Sequence, residues 1–591
     1  MKQFFVTMAG VFAGLVLFLV GVPFLLVVMA AGAARPPATP AQSVLSLDLR
    51  DPMTDQDPQN PLSAFGRRSL SVMGVIETLR RAERDSHVKG LFVRLPEGGM
   101  EPAAADELRL AIKHFRASGK PVYAHSQGLY PTGVVTSTYM VGAAADELWM
   151  QPAASFQATG LATEDLFFKR LFDKYGVKAD YQQRYEYKNA VNPYLYTDYT
   201  PQHREATLSW MNSVFSAAVA SAASDRKTEP HALRRTLEAG PYSAEEARAK
   251  GLIDRVGQVK EAEQAILKKA GGEQFLAFED YMRSRRDRST AGSGPMIAVV
   301  EAEGPIITGH DGVANPFSTG PTIYSDDLSE AIYDAAEDDD VKAIVLRVNS
   351  PGGSDTASEQ ILAAVRAAKA AKKPVVVSMG TYAASGGYWI SSEASAIVAQ
   401  PSTLTGSIGV FGGKFVFGPA LEKLGVDVHG LDVGGDYADA FGIGRTFDQS
   451  EEAAFSAWMD RIYDSFITRV AEGRNLKPDR VREIAKGRVW TGLQAREIGL
   501  VDELGGFYQA VDKAKALAGL TGDVRLKRMT PHASPIQALE QVLGVSATSA
   551  RTLAAAAWIL GDPRAQSIID EVAAERMRAS GAKVLAPTPL H

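Results

Sequence analysis

The sequence predicts an α/β protein made of two tandem copies of one domain behind an N-terminal transmembrane helix. Three observations lead to this fold class. Short apolar runs typical of strands alternate with amphipathic helical segments, which is the pattern of α/β layers. Several motifs recur in the same order about 250 residues apart, as expected of a duplicated unit. The first 34 residues are apolar almost throughout.

Length and composition limit the function classes. A chain of 591 residues is too long for one core, so several domains are expected. The net charge of -6 and the ordinary composition predict no nucleic-acid binding. The chain has no cysteine, which excludes thiol catalysis, thiolate metal sites, disulfides and a lipid attached through cysteine.

The N-terminal segment predicts a membrane anchor. No charged residue occurs from Gln3 to Ala34, which exceeds the roughly 20 apolar residues that span a bilayer. The alternative is a cleaved secretory signal ending near Ala31-Gly-Ala-Ala34, but the apolar run is long for one. Lys2 beside the amino terminus indicates that this end stays inside, so both interpretations export the rest of the chain.

The repeats and the composition between them predict the domain boundaries. Val88-Lys-Gly-Leu-Phe-Val-Arg-Leu matches Val341-Lys-Ala-Ile-Val-Leu-Arg-Val, and Gly251-Leu-Ile-Asp matches Gly499-Leu-Val-Asp. Linkers are rich in Pro, Gly, Ser and charge. The predicted segments are an anchor at 1–34, a linker at 35–62, a first repeat at 63–282, a linker at 283–295, a second repeat at 296–520 and a helical C-terminal extension at 521–591.

Local patterns predict the main elements of the second repeat. Apolar runs indicate strands, and an amphipathic run indicates a helix whose capping box begins at Thr356. The predicted strands and helix are Met296–Ala302, Ala343–Val348, Val375–Met379 and Glu359–Ala371.

The two copies differ where chemistry is expected. Ser385, followed by two glycines, stands at a predicted strand-to-helix bend, whereas the first copy has Thr136 there and no glycines. Conversely, Lys188 of the first copy has no lysine opposite it in the second. One copy therefore keeps a candidate nucleophile and the other a candidate base. The alternative for Ser385 is a helix N-cap, a position that serine favours.

A serine hydroxyl needs a neighbouring base before it can attack a carbonyl. None of the nine histidines lies in a recognisable motif. A lysine serves instead when burial keeps it neutral, and Tyr185, Tyr187 and Tyr194 would desolvate Lys188. The alternative for Lys188 is a solvated surface charge.

An oxyanion hole requires backbone N–H groups directed at one point. The Gly-rich bend after the Val345–Val348 stretch supplies one donor, assigned to Gly353 with Gly352 as the neighbouring choice. The N–H of Gly386, next to Ser385, supplies the second. The alternative is that the first bend is simply a turn.

These residues carry a resemblance to the signal peptide peptidase A (protease IV) family, peptidase family S49, in its long, duplicated form. It covers roughly residues 60–520 and the anchor. The motifs are Asn349-Ser-Pro-Gly-Gly, Ala384-Ser-Gly-Gly-Tyr, Thr403-Leu-Thr-Gly-Ser-Ile-Gly409 and Tyr187-Lys-Asn-Ala-Val-Asn-Pro193.

The resemblance implies specific roles. Ser385 would be the nucleophile of a Ser-Lys dyad, Lys188 the general base and Ser407 the hydroxyl that orients the lysine; the alternative for Ser407 is a turn serine. It further implies a Clp protease/crotonase-like fold, a homotetramer, and degradation of signal peptides and other apolar peptides at the periplasmic side of the bacterial inner membrane. No metal or cofactor is expected.

Three other functions compete from sequence alone. A crotonase-type acyl-CoA enzyme is disfavoured by export, and a Clp-type Ser-His-Asp triad by the missing histidine. A non-catalytic membrane scaffold on the same fold is disfavoured by the presence of both Ser385 and Lys188. The sequence leaves open the bond preference and whether the dyad forms within one protomer.

Overall fold

The structure is a computed structural model that describes residues 40–57, 70–285, 294–310 and 321–529. The predicted anchor, parts of both predicted linkers and most of the C-terminal extension lie outside these ranges. Among the described helices, none combines the length and apolarity that crossing a bilayer requires.

The first repeat is built on a parallel six-stranded sheet in the order β8-β4-β3-β2-β1-β9. Its strands, with three that lie outside the sheet, are β1 Ser43–Asp48, β2 Val88–Arg94, β3 Val122–Ser126, β4 Glu147–Met150, β5 Ser155–Phe156, β6 Lys178–Arg184, β7 Tyr242–Ser243, β8 Arg255–Val256 and β9 Gln274–Ala277. Its helices are Val72–Arg84, Pro102–Ala117, Val135–Ala143, Lys169–Tyr175, Asn192–Leu195, Pro201–Arg226, Pro230–Glu238, Ala244–Ala249, Val259–Ala270 and Phe278–Arg285, with a 3-10 turn at Asn189–Val191.

The second repeat has an eight-stranded sheet whose main order is β18-β16-β14-β13-β10-β20, and only the β16–β18 pair is antiparallel. The strands of this repeat are β10 Met296–Glu303, β11 Ile306–Ile307, β12 Ile323–Tyr324, β13 Val341–Ser350, β14 Val375–Ala384, β15 Ala396–Ala399, β16 Leu404–Gly406, β17 Val410–Val416, β18 Val489–Thr491, β19 Glu503–Leu504 and β20 Arg525–Met529. The helices are Ser325–Glu337, Asp355–Ala370, Gly386–Ser391, Gly418–Glu422, Gln449–Arg474, Pro478–Ile484, Gly492–Glu497 and Phe507–Leu517.

The α/β prediction is confirmed, but some local predictions are wrong: β1 lies within the segment predicted as a linker, 35–62, and β20 within the predicted helical extension, 521–591. The three predicted strands of the second repeat lie within β10, β13 and β14. The predicted helix begins earlier, because Ser354 rather than Thr356 is the N-cap and its hydroxyl accepts from Ala357 N. The capping box predicted at Thr356 is therefore wrong: that residue lies in the first turn, and its hydroxyl bonds Ser354 Oγ at 2.9 Å.

Equivalent contacts recur in the two repeats. The Pro201–Arg226 and Gln449–Arg474 helices both have 26 residues. The final arginine of the first pairs with Asp254 at 2.6 Å, and that of the second pairs with Asp502 at 2.5 Å. In each copy the same aspartate also accepts a backbone N–H at a strand of the sheet. The repeats thus share details of packing as well as strand order.

A buried cation joins the two repeats. Arg347 of β13 is 1% exposed and donates to Asp55 at 2.8 Å and to Glu107 at 2.7 Å. Asp55 and Glu107 belong to the first repeat's side of the contact and are also buried. Burial raises the pKa of Glu107, and the Arg347 charge opposes that rise. A buried ion pair whose partner is removed leaves an uncompensated charge, which is strongly destabilising.

Replacing Arg347 with alanine should therefore destabilise the contact between the repeats by about 3–5 kcal/mol. Thermal unfolding followed by circular dichroism should show a clearly lower Tm. The control is Lys169→Ala, which removes an exposed pair with Asp173 at 2.9 Å, worth at most about 1 kcal/mol. A fall in Tm no larger than that of the control would contradict a structural role for the Arg347 pairs.

Candidate active site

A two-stranded ladder between the repeats sets the position of the site. Strand β6 of the first repeat pairs antiparallel with β17 of the second, from Arg184 opposite Val410 to Lys178 opposite Val416. Phe415 of β17 packs against Tyr181 and Tyr194, which stabilises the ladder with aromatic contacts. The chain leaving β6 is thereby held beside the chain that enters β17.

Ser385 lies at the predicted strand-to-helix bend, between β14 and the Gly386–Ser391 helix. Its φ of 53° falls in a region that is costly for a residue with a side chain. It occupies the N-cap position, but its side chain makes no capping hydrogen bond. Instead its Oγ accepts a hydrogen bond from Lys188 Nζ at 3.1 Å. The N-cap alternative therefore does not explain where the hydroxyl points.

Lys188 is buried, so the surface alternative is wrong. Lys188 comes after β6 in the chain and is 3% exposed. Its Nζ lies within hydrogen-bond distance of three oxygens. Besides Ser385 Oγ, the amine donates to Ser407 Oγ and Ser407 O, each at 2.9 Å. All of these residues belong to one chain, so the serine and lysine meet within a single protomer. Desolvation lowers the pKa of Lys188 from 10.5 to about 7.

The desolvation of Lys188 has a source that sequence reasoning missed. A Cβ added to Gly487, whose φ is 80°, would lie 2.6 Å from Lys188 Cα and N. Glycine is thus required for the backbone to approach so closely. Gly487 N donates to Ile408 O at 2.8 Å, and Tyr187 N donates to Lys486 O at 3.2 Å. The segment before β18 therefore covers the lysine loop.

The tyrosines named from the sequence have other ring contacts. Tyr185 packs edge-on against Tyr463, and Tyr194 packs edge-on against Phe415. Tyr187 lies under the Arg488 guanidinium. The sequence therefore pointed to the neighbouring tyrosines but not to Gly487, which lies 299 residues later and packs against the lysine backbone.

Ser407 meets the lysine amine through two oxygens rather than standing apart in a turn. Its φ is 50°, and its backbone N donates to Arg488 O at 2.8 Å. This backbone conformation aims the hydroxyl and the carbonyl at the same Nζ.

The two assigned oxyanion donors lie together beside Ser385. A Cβ added to Gly386 would be 3.0 Å from Gly353 N. Within the described ranges, the N–H groups of Gly353 and Gly386 donate to no protein acceptor. Gly352 N, in contrast, donates to Ser350 Oγ at 3.1 Å. The bend therefore leaves the amide of Gly353, not that of Gly352, free for a ligand oxygen.

The described histidines do not supply a base. His125 is fully buried, its Nε2 lies 3.1 Å from Gly257 O, and burial lowers its pKa to about 4. His203 packs between Phe167 and Tyr199. In the part of the chain that the structure describes, Lys188 alone bonds the Ser385 hydroxyl. A Ser-His-Asp triad has no support.

The equivalent place in the first copy is closed. Thr136 is 2% exposed inside the Val135–Ala143 helix. In the turn that corresponds to the oxyanion bend, Gly99 N donates to Thr132 O at 2.6 Å, so this amide is not free for a ligand oxygen. The first copy thus supplies the lysine but no second site.

Comparison with known proteins agrees with this geometry. The model of peptidase family S49 matches residues 114–272 and 367–521, one match in each repeat. Protease 4 of Salmonella typhi is 35% identical over 506 residues, covering 81% of this chain and 79% of that protein. Protease 4 of Haemophilus influenzae is 32% identical over 542 residues, covering 88% and 85%. The chloroplastic serine protease SPPA of Arabidopsis thaliana is 29% identical over 490 residues, covering 81% and 69%.

These matches define a serine peptidase built from two copies of one α/β unit. The chain belongs to peptidase family S49. The predicted family and the predicted duplication are confirmed, and the acyl-CoA enzyme and the non-catalytic scaffold are set aside.

The buried amine predicts a specific dependence of stability on pH. Below about pH 7 the folded protein must bury a charged Lys188, whereas the unfolded chain solvates it. Between about 7 and 10.5 the unfolded chain binds a proton that the folded protein lacks, so stability rises with pH. Lys188→Met should therefore raise Tm most at pH 6, and the difference should shrink towards pH 10. Lys268→Met, at an exposed position of Val259–Ala270, is the control; an equal gap at both pH values would contradict the burial of a titrating amine.

Proposed function

We propose that this chain is a membrane-anchored serine endopeptidase that uses Ser385 and Lys188 as a catalytic dyad. One observation carries the proposal: a buried amine with a lowered pKa lies 3.1 Å from the Ser385 hydroxyl. A neutral amine near pH 7 has a free lone pair and can accept the serine proton.

The proposed reaction uses groups of this chain alone. Lys188 takes the proton of Ser385 as Oγ attacks the scissile carbonyl carbon. The N–H groups of Gly353 and Gly386 stabilise the oxyanion that forms. Lys188 then gives its proton to the leaving amine, and water, activated by the same lysine, hydrolyses the acyl-enzyme. Ser407 orients the amine through the two bonds described above. No step needs a metal or cofactor.

The substrates are proposed to be signal peptides and other extended apolar peptides. Support comes from the family, and from the apolar stretch Gln3–Ala34, which would hold the enzyme where such peptides are released. The same stretch is the proposed lipid contact, with the repeats on the periplasmic side of a bacterial inner membrane.

A homotetramer is also part of the proposal. It is supported by a segment of the second repeat whose apolar side chains are exposed in the single chain. Leu424, Leu431 and Val433 are 79%, 102% and 99% exposed, respectively. Surface of this kind is typical of protein contacts.

The dyad is tested by hydrolysis of a fluorogenic peptide of Leu, Val and Ala by the full chain in detergent. Ser385→Ala and Lys188→Met should each lower kcat/KM by roughly a thousandfold or more. Thr136→Ala, at the equivalent position of the first copy, should leave kcat/KM unchanged. An active Lys188→Met variant would show that another group is the base, and an active Ser385→Ala variant would remove Ser385 as the nucleophile.

The location is tested in spheroplasts of a bacterium that expresses the full chain with a C-terminal tag. Protease added outside should remove the tag while a cytoplasmic marker survives, and an alkaline wash should leave the protein in the membrane pellet. A tag that survives external protease in intact spheroplasts, but not after lysis, would contradict the periplasmic placement.

A further inference from the structure

A polar contact between the repeats lies directly behind the catalytic lysine. Glu205, on the Pro201–Arg226 helix of the first repeat, receives two parallel bonds from Arg488 of the second, at 2.6 and 2.8 Å. Arg488, and to a smaller extent the hydroxyl of Tyr187, the residue before the lysine, lower the pKa of Glu205. The Arg488 guanidinium lies 4.9 Å from the Tyr187 ring and 4.4 Å from the Trp490 ring. We call Glu205, Tyr187 and Arg488 the clasp.

The clasp is one end of a longer row of contacts. Glu205, Ser209 and Ser213 are spaced four residues apart, so they share one face of the helix. Ser209 Oγ accepts from Gln494 at 3.0 Å, and Ser213 bonds Thr491 at 2.7 Å. The row fixes the helix along the 488–494 segment, with the ion pair at the end beside the lysine.

The backbone of Arg488 and of the residue before it contacts Ser407 and Lys188. Arg488 O accepts the N–H of Ser407, which in turn holds Lys188 Nζ. Gly487, the preceding residue, packs against the Lys188 backbone. Holding Arg488 in place therefore also holds Ser407 and Gly487, the two residues that contact Lys188.

We infer that Arg488, held by Glu205, is a positioning residue that keeps the lysine loop closed and dry. Without it, the guanidinium no longer covers Tyr187, and the 486–488 segment loses its two bonds to Glu205 and keeps the pair of Lys486 with Glu186. Water then gains access to the amine from the side that Gly487 covers. This inference deepens the proposed function and rests on Lys188 being the base.

The charged side chains around the lysine loop are paired with one another. Burial is therefore the main influence on the pKa of the Lys188 amine. The clasp pairs Glu205 with Arg488, and beside it Glu186 pairs with Lys486 at 3.0 Å. The rings of Tyr185 and Tyr463 pack edge-on against each other. Burial lowers the pKa of Lys188. Admitting water should therefore raise that pKa towards 10.5.

The test is the pH dependence of kcat/KM between pH 5.5 and 9.5 for the full chain on the apolar fluorogenic peptide. Wild type should lose activity as pH falls through about 7, because Lys188 becomes protonated. We call this fall in kcat/KM at low pH the acid limb. In the Arg488→Ala variant the acid limb should lie roughly one pH unit higher. Glu205→Gln, at a half-exposed side chain, should move it in the same direction by less and guards against misfolding of the first variant.

Two further variants separate positioning from simple loss of stability. Arg226→Ala removes a pair of similar exposure, with Asp254, away from the site; it should lower Tm without moving the limb. Arg488→Lys keeps the charge but not the flat, two-pronged contact, and it should behave like alanine.

The possible outcomes separate the two claims. An unmoved limb in active Arg488→Ala and Glu205→Gln variants would overturn the clasp alone. If Arg488→Lys had the same pH dependence of kcat/KM as wild type, the role of the planar contact would be overturned. A wild-type profile with no limb near pH 7 would overturn the proposed base, and the clasp with it.

Discussion

The antiparallel ladder between β6 and β17 is the contact on which the active centre depends. Each repeat has its own parallel sheet, yet neither sheet contains both reacting side chains. The ladder takes one strand from each copy and sets the end of β6 beside the start of β17. Because pairing of this kind fixes register residue by residue, it also fixes where Lys188 stands relative to Ser385 and Ser407.

Two buried basic side chains show how neighbouring groups decide whether a side chain is charged in this protein. Arg347 is met by two carboxylates, which hold it as a permanent ion between the repeats. Lys188 is met only by hydroxyl and carbonyl oxygens, and desolvation brings its pKa to about 7. Oxygens without charge orient an amine but do little to favour its protonated form. The same depth of burial thus gives a structural ion in one place and a candidate base in the other.

The sequence predicted what is encoded locally or by comparing the copies. Alternating patterns indicated the α/β layers, and the mismatch between Ser385 and Thr136 pointed to the copy that holds the candidate nucleophile. It failed where one segment acts on another far along the chain. Gly487 and Arg488 lie about 300 residues from the lysine loop that they cover, and no local pattern marks such a contact. The tyrosines beside Lys188 suggested a local apolar cluster, but the ring partners of Tyr185 and Tyr194 include Tyr463 and Phe415 of the second repeat.

The split of the centre between copies has a consequence for synthesis on the ribosome. The lysine precedes the serine by 197 residues, an interval of roughly 10–40 s at about 5–20 residues per second. During that time the emerging chain has the proposed base without the proposed nucleophile. Even after Ser385 is made, the covering Gly487 and Arg488 are still to come. Under the proposed mechanism, peptide cleavage can therefore start only after almost the whole second repeat has been made and has folded onto the first.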